Sequence, residues 1–199
     1  MGKRKEAKQR TRKQLVDVAK GLFIRNGFLQ TTTKQIAAQA GVAHGTLFFH
    51  FPTKESLILE IIDREGLYIT DQLHQLLHDT SEIEVLLERY LTFLAGEEDF
   101  YATIAREMPY YPEKLQQRLL FREVGIRSYF LTALNRGVAE GHYQDLDIPA
   151  ALTFLFGTIK YLLSHRELLV GKQSVIAHKK ALLINTFLRI INFKEDDHV

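Results

Sequence analysis

Apolar residues recur with helical spacing along almost the whole chain. Leu15, Val18, Ala19, Leu22 and Phe23 fall at i, i+3, i+4, i+7 and i+8, one stripe of an amphipathic helix. Gly27 stops that helix near Asn26, and Phe28 is expected to fold back onto its core. In the next segment Ile36, Ala37 and Ala40 share a small apolar face. Thr32 or Thr33 can cap this short helix, and Gly41 can end it in the left-handed conformation. A second short helix is expected from about Ala43 to His50, with Leu47 and Phe51 on one side. Small residues at 37, 38, 40, 41, 43 and 45 let the two helices approach across a three-residue turn. That is the geometry of a helix-turn-helix, whose second helix enters the major groove of DNA.

Beyond Pro52 the pattern predicts helices only. Thr53 can cap a long one, opened by Lys54 and Glu55 and running through Leu57, Ile58, Ile61, Ile62, Leu73 and Leu77 to about His78. Ser81-Glu82-Ile83-Glu84 reads as a capping box for a helix to about Ala95, and another spans about 98 to 108. The break Pro109-Tyr110-Tyr111-Pro112 precedes a helix ending at Gly141, with Pro112 as its expected first residue. Asp147-Ile148-Pro149 starts a helix to about Leu169, and Ser174 caps a last one to about Asn192. The acidic Glu195-Asp196-Asp197 end is expected to fray. With no strand alternation and no repeat, the fold class is all-α. A three-helix helix-turn-helix domain over residues 1–53 is followed by a bundle of about six helices over 54–199.

The quoted residues carry a resemblance. Thr32-Thr33, Ile36-Ala37, Ala40-Gly41-Val42, Gly45-Thr46-Leu47-Phe48-Phe49-His50-Phe51 and Lys54-Glu55-Ser56-Leu57 are similar to the DNA-binding motif of the TetR family of transcriptional regulators. The resemblance covers roughly residues 10 to 60. Two positions depart from it: Phe48 stands where Tyr is usual, and Ala43 where Ser is frequent. The second removes a side-chain N-cap worth about 1 kcal/mol. The resemblance implies a homodimer in which two such heads bind a palindromic operator in double-stranded DNA. A small hydrophobic or amphipathic effector would then release them, and repression is the expected output. His44, Gly45 and Thr46 are expected on the groove floor, with Phe48 or Phe49 against a thymine methyl. By analogy Thr33, Lys34, His50 and Lys54 grip phosphates, which fix register without reading sequence.

Charge supports the DNA reading more than composition does. The net charge is only +2, yet residues 1–54 hold eleven Lys and Arg against Glu6 and Asp17, a net +9; residues 55–199 carry −7. The first segment attracts a polyanion and the second repels one. Residues 1–9 are expected to form a disordered basic arm able to reach DNA. The chain has no Cys, which excludes disulfides and thiolate metal sites and fits a reducing cytoplasm. No apolar run approaches the roughly 18 residues of a membrane span, so a cytoplasmic protein without membrane contact is expected.

The last two long helices carry apolar residues on more than one face. Two stripes fit either a central helix of a monomeric bundle or burial against a partner as well as the chain's own core. The resemblance favours a partner, and the dimer interface is placed on Leu152, Phe156, Ile159, Leu163, Leu183, Phe187 and Ile190. All eight Tyr lie after residue 54, and Tyr combines apolar area with one polar handle. Helix position and analogy give Tyr68, Phe93, Arg106, Met108, Tyr110, Phe121, Arg122, Tyr129 and Phe154 as expected effector contacts. Gly171-Lys172-Gln173-Ser174 lacks the first glycine of a phosphate-binding loop, and no hydrolase, metalloprotease or dinucleotide motif occurs. Asp71, His74 and His78 share a helix face but form an incomplete metal-ligand set. Neither an enzyme, a cofactor nor a metal site is expected. Two rivals remain: a DNA-binding scaffold governed by a protein partner, and a helical enzyme.

Overall fold

The computed structural model describes residues 2–79, 82–144 and 146–192. Ser81 of the expected capping box and the acidic stretch Glu195–Asp197 lie outside the described residues. Among the described residues every regular element is helical, as expected for an all-α chain. The elements are α1 (Gly2–Asn26), α2 (Thr33–Gln39), α3 (His44–His50), α4 (Lys54–Asp79), α5 (Ile83–Gly96) and α6 (Glu98–Glu107). A 3-10 turn (Met108–Tyr110) leads to α7 (Glu113–Ala139), α8 (Ile148–Ser164), α9 (Arg166–Val170) and α10 (Val175–Ile191). They group into two compact units. The first comprises residues 1–67 and 107–119, the second residues 68–106 and 120–199. The first unit thus runs past the boundary expected at residue 53 and takes in a later segment of chain.

In the first unit α1 already begins at Gly2, which corrects the expected disordered arm. Its first turns are Lys, Arg, Glu, Ala and Gln, all good helix formers, and Gly21 is the one glycine between Gly2 and Gly27. The α1 stripe buries Leu15, Ala19, Leu22 and Phe23 together with Phe28, Ile36, Ala37, Leu47 and Phe51. Val42, expected in the same core, is half-buried. Thr32 caps α2 with a full capping box: its hydroxyl accepts from Gln35 N at 3.2 Å, and Gln35 Oε1 accepts from Thr32 N at 2.8 Å. Gly41, at φ +64°, lets the chain turn out of α2. Ion pairs tie α1 to the first turns of α4: Arg12–Glu60 at 2.8 Å, Lys20–Glu65 at 2.9 Å and Arg64–Asp17 at 3.2 Å.

The second unit is built around α10, which packs on α5 and α8. Leu86, Leu87, Leu91, Leu155, Ile159, Ile176, Leu183 and Phe187 share one buried cluster. Phe156 lies 5.6 Å from Phe130 and 5.7 Å from Tyr90, centroid to centroid. The helix expected to run to Leu169 stops at Ser164. There the Ser164 hydroxyl and the His165 ring both donate to the Tyr161 carbonyl at 3.0 Å, competing with the helical ladder. Ser174 caps α10 as expected, accepting from Ala177 N at 2.9 Å. Glu98, only 3% exposed, adds a second cap from α6. Its carboxylate accepts from Val175 N at 2.8 Å, from Ile176 N at 3.0 Å and from the Ser174 hydroxyl.

Candidate nucleic-acid interface

The surface of α3 is what the small residues of the turn allow. Leu47 faces inward and is fully buried, while Gly45, Phe48 and Phe49 face outward. Phe48 is 42% and Phe49 68% exposed. Two adjacent large apolar side chains in water on a seven-residue helix mark a contact surface rather than a packing need. Lys8 of α1 places its ammonium 4.7 Å from the Phe49 ring, so the basic turns of α1 flank this face. Thr33 and His44 are brought together: Thr33 Oγ1 and His44 Nε2 share a 2.9 Å hydrogen bond from α2 to α3. The His44 ring also meets Phe48 edge-on at 4.8 Å. Lys34 is exposed and Thr46 half-buried beside them. Ala43 precedes α3 without a side-chain cap.

One expected phosphate ligand, Lys54, is used inside the head instead, and another, His50, is buried there. Lys54 Nζ donates to the carbonyls of Phe28 at 2.7 Å, Thr31 at 3.0 Å and Leu29 at 3.4 Å, and lies 4.4 Å from the Phe28 ring centroid. Burial pushes its pKa below the ordinary lysine value, against the opposing pull of Glu55 and Glu107. His50 is 9% exposed, and its carbonyl accepts from Arg12 Nη1 at 2.8 Å. Its Nδ1 has no hydrogen-bond partner among the described residues. Burial, then Lys8 and Arg12, lower its pKa. Neither side chain stands free toward a phosphate, and the assignment of both is corrected. Sequence reasoning also missed Glu107, whose carboxylate accepts from Phe28 N at 2.9 Å and Leu29 N at 3.1 Å. No local pattern could reveal a partner 79 residues away.

The expected effector contacts fall in both units. In the second unit Tyr68 lies 6.2 Å from Phe93, and Phe93 lies 5.8 Å from Tyr101, a neighbour the sequence reading omitted. Tyr129 is half-buried and meets His74 at 6.5 Å; Arg122 is half-buried too. Arg106 is paired with Glu167 at 2.9 Å. Phe121 and Phe154 are 78% and 70% exposed and do not wall an enclosed space in their own unit. Met108 and Tyr110 sit in the 3-10 turn of the first unit, Tyr110 being 75% exposed.

The dimer assignment also needs correction. Leu152, Phe156, Ile159, Leu163, Leu183 and Phe187 are all buried in the chain's own core, and only Ile190 is exposed. The opposite faces carry exposed apolar side chains: Phe154 and Tyr161 on α8, Leu182 and Ile190 on α10. Phe154, Gly157, Thr158 and Tyr161 line a shallow groove of about 650 Å³ along α8.

His74 and His78 approach within 3.3 Å on α4, but no group of three or more metal-ligating side chains occurs among the described residues. No helix among them is long and apolar enough to cross a membrane.

Comparison with known proteins agrees with this geometry. Residues 15–61 match the family model described as bacterial regulatory proteins, tetR family. The fatty acid metabolism regulator protein of Bacillus subtilis is 25% identical over 151 residues, covering 73% of this chain and 78% of the relative. The transcriptional repressor KstR2 of Rhodococcus jostii is 28% identical over 162 residues, covering 74% and 75%. Among solved structures, the transcriptional regulator FadR from Bacillus subtilis in complex with stearoyl-CoA shares the fold. Its TM-score is 0.75 at 22% identity, with 87% of this chain and 96% of that one covered.

Proposed function

We propose, from the premise that this chain belongs to the TetR family of transcriptional regulators, that it is a homodimeric repressor. An amphipathic long-chain acyl thioester would release it from a palindromic operator. The DNA-binding part of this reading rests on one observation, the exposed Phe48 and Phe49 on α3 beside the basic turns of α1. The acyl class is taken from the stearoyl-CoA bound by the Bacillus subtilis FadR of like fold.

In this reading two heads enter successive major grooves, with half-sites about 34 Å apart or at a related larger spacing. His44 and Thr46 meet base edges, Gly45 lets the backbone come close, and Phe48 or Phe49 touches a thymine methyl. Thr33 and Lys34 hold phosphates. Thr33 also orients the His44 ring, so one hydrogen bond links the positioning residue to the reading one. Phe154, Tyr161, Leu182 and Ile190 pair two copies through α8 and α10. Release requires the effector to prefer the conformation that binds DNA poorly.

The test starts by selecting bound DNA from a random pool and measuring operator affinity with and without stearoyl-CoA. A palindromic site, loss of affinity on adding stearoyl-CoA, and a raised melting temperature of the DNA-free protein are the expected results. Selection of no common sequence would overturn the operator reading. Stearoyl-CoA that stabilises the protein yet leaves operator affinity unchanged would overturn the effector reading.

A further inference from the structure

The turn between α1 and α2 decides where α2 starts, and side chains from two distant segments of the first unit hold it. Glu107 Oε2 accepts the N–H groups of Phe28 and Leu29, and Tyr111 donates its hydroxyl to the same oxygen at 3.4 Å. Lys54 Nζ donates to the carbonyls of Phe28, Leu29 and Thr31. Five backbone polar groups of a single turn are therefore satisfied by one carboxylate and one ammonium. Gly27 makes the approach possible. Its φ is +80°, and a Cβ there would lie 2.0 Å from Glu107 Oε1. The Phe28 ring completes the arrangement, edge-on to Tyr111 at 5.0 Å and beneath the Lys54 ammonium.

We propose that Glu107 and Lys54 form a polar clamp by which the end of α6 sets whether the head is competent to bind DNA. Glu107 is then a positioning residue for operator binding and for its release. The regulatory half rests on the effector reading above. The chain passes from the second unit to the first between Arg106 and Glu107. Glu107 is also the last residue of α6, so a displacement of that helix moves the carboxylate directly. Hydrogen bonds of 2.9 and 3.1 Å have little slack; a shift of about 1 Å takes them past bonding distance. Carboxylate-to-amide bonds are charge-assisted, so their loss is felt where α2 begins. Lys54 supplies the fixed half of the clamp, because it opens α4 beside the same turn. This route reaches α2 through α6 and the 107–111 segment, outside the residues 15–61 that carry the family motif.

The experiment compares Glu107→Ala, Glu107→Gln and Gly27→Ala with the wild type, all as full chains. Operator affinity is measured with and without stearoyl-CoA, stearoyl-CoA affinity is measured by calorimetry, and amide exchange is followed at Phe28 and Leu29. Glu107→Ala is expected to weaken effector-free operator binding by about tenfold or more, the weight of a charged hydrogen bond. Stearoyl-CoA affinity should stay within about twofold, while its effect on operator affinity falls toward none, since coupling is a property of the link between sites. Gly27→Ala, which displaces the carboxylate without removing it, should do the same. Glu107→Gln keeps an accepting oxygen and should recover most of the binding.

Unchanged operator affinity and full release in Glu107→Ala would overturn the clamp. So would weaker operator binding with undiminished release, because that is the signature of a merely structural residue. If stearoyl-CoA fails to release the wild type, the effector reading falls by itself. The positioning role is then judged on effector-free operator affinity and on exchange at Phe28 and Leu29, expected to be about tenfold faster in Glu107→Ala if those bonds protect them. Equal exchange rates would overturn it.

Discussion

Phe154 and Phe156 are two residues apart on α8, and replacing each by alanine should give opposite results. Phe156 is 5% exposed and sits among Tyr90, Phe130 and the Arg127 guanidinium, which lies 5.0 Å from its ring centroid. Truncating a buried Phe costs about 3–5 kcal/mol, including about 0.5–1.5 kcal/mol for each aromatic pair lost. For a chain of this size that lowers the melting temperature by about 10 °C. Phe154 is 70% exposed. Within its own chain Phe154→Ala should change stability by no more than about 0.5 kcal/mol. If the outer face of α8 pairs two copies, loss of a central aromatic costs about 2 kcal/mol of association, roughly 30-fold in the dimer dissociation constant. Sedimentation equilibrium over a dilution series separates the two effects, with thermal melts at a high and a low protein concentration. Phe154→Ala should dissociate at higher concentration than wild type and melt normally when concentrated. Phe156→Ala should melt low at every concentration. Equal melting losses for both variants, or a dimer weakened only by Phe156→Ala, would refute the assignment of faces.

Glu98→Ala should lower stability by about 2–4 kcal/mol in urea denaturation, because the buried Val175 and Ile176 amides lose their acceptor. Thr32→Ala removes the capping box of α2 and should cost about 0.5–2 kcal/mol, with faster exchange at the Gln35 amide. Lys54→Ala should leave the salt dependence of operator binding unchanged; a phosphate ligand would flatten the slope by about 0.9. His50 has its folded pKa lowered below 6.5. The folded chain therefore takes up a proton less readily than the unfolded one. Stability is full above that value and falls as pH drops through the folded pKa. In His50→Gln this acid-side loss should shrink in melts from pH 8 to pH 5.

What the sequence disclosed was whatever is decided within four or five residues. Thr32 and Gln35, Gly41, and the spacing of Leu15, Ala19 and Phe23 each announce local geometry, and α2, α3 and the end of α1 lie where those signals put them. Faces were harder. The α8 segment has apolar residues all round, and a 3.6-residue period says that Phe154 and Phe156 differ in direction but not which one meets the core. Only the packing of α10 on α8 decides that. Analogy and charge each misled once. Analogy places Lys54 on a phosphate, although three backbone carbonyls accept its hydrogen bonds. The basic start of the chain read as disorder, although its residues favour helix as much as they favour solvent. Glu98 and Glu107 were invisible for a simpler reason. Each satisfies backbone amides more than seventy residues away in sequence, and nothing beside them records that partner.

The discontinuity of the first unit bears on how this protein can be cut and recombined. A fragment ending at residue 61 would hold every residue of the family match and still lack Tyr111, Leu115 and Leu119, three buried members of the same unit. It would also lack Glu107, leaving the Phe28 and Leu29 amides without their acceptor. The head is therefore not a cassette. A chimera that exchanges it with a relative's must carry residues 107–119 along with residues 1–67, so that one domain is transplanted as two separate stretches of gene.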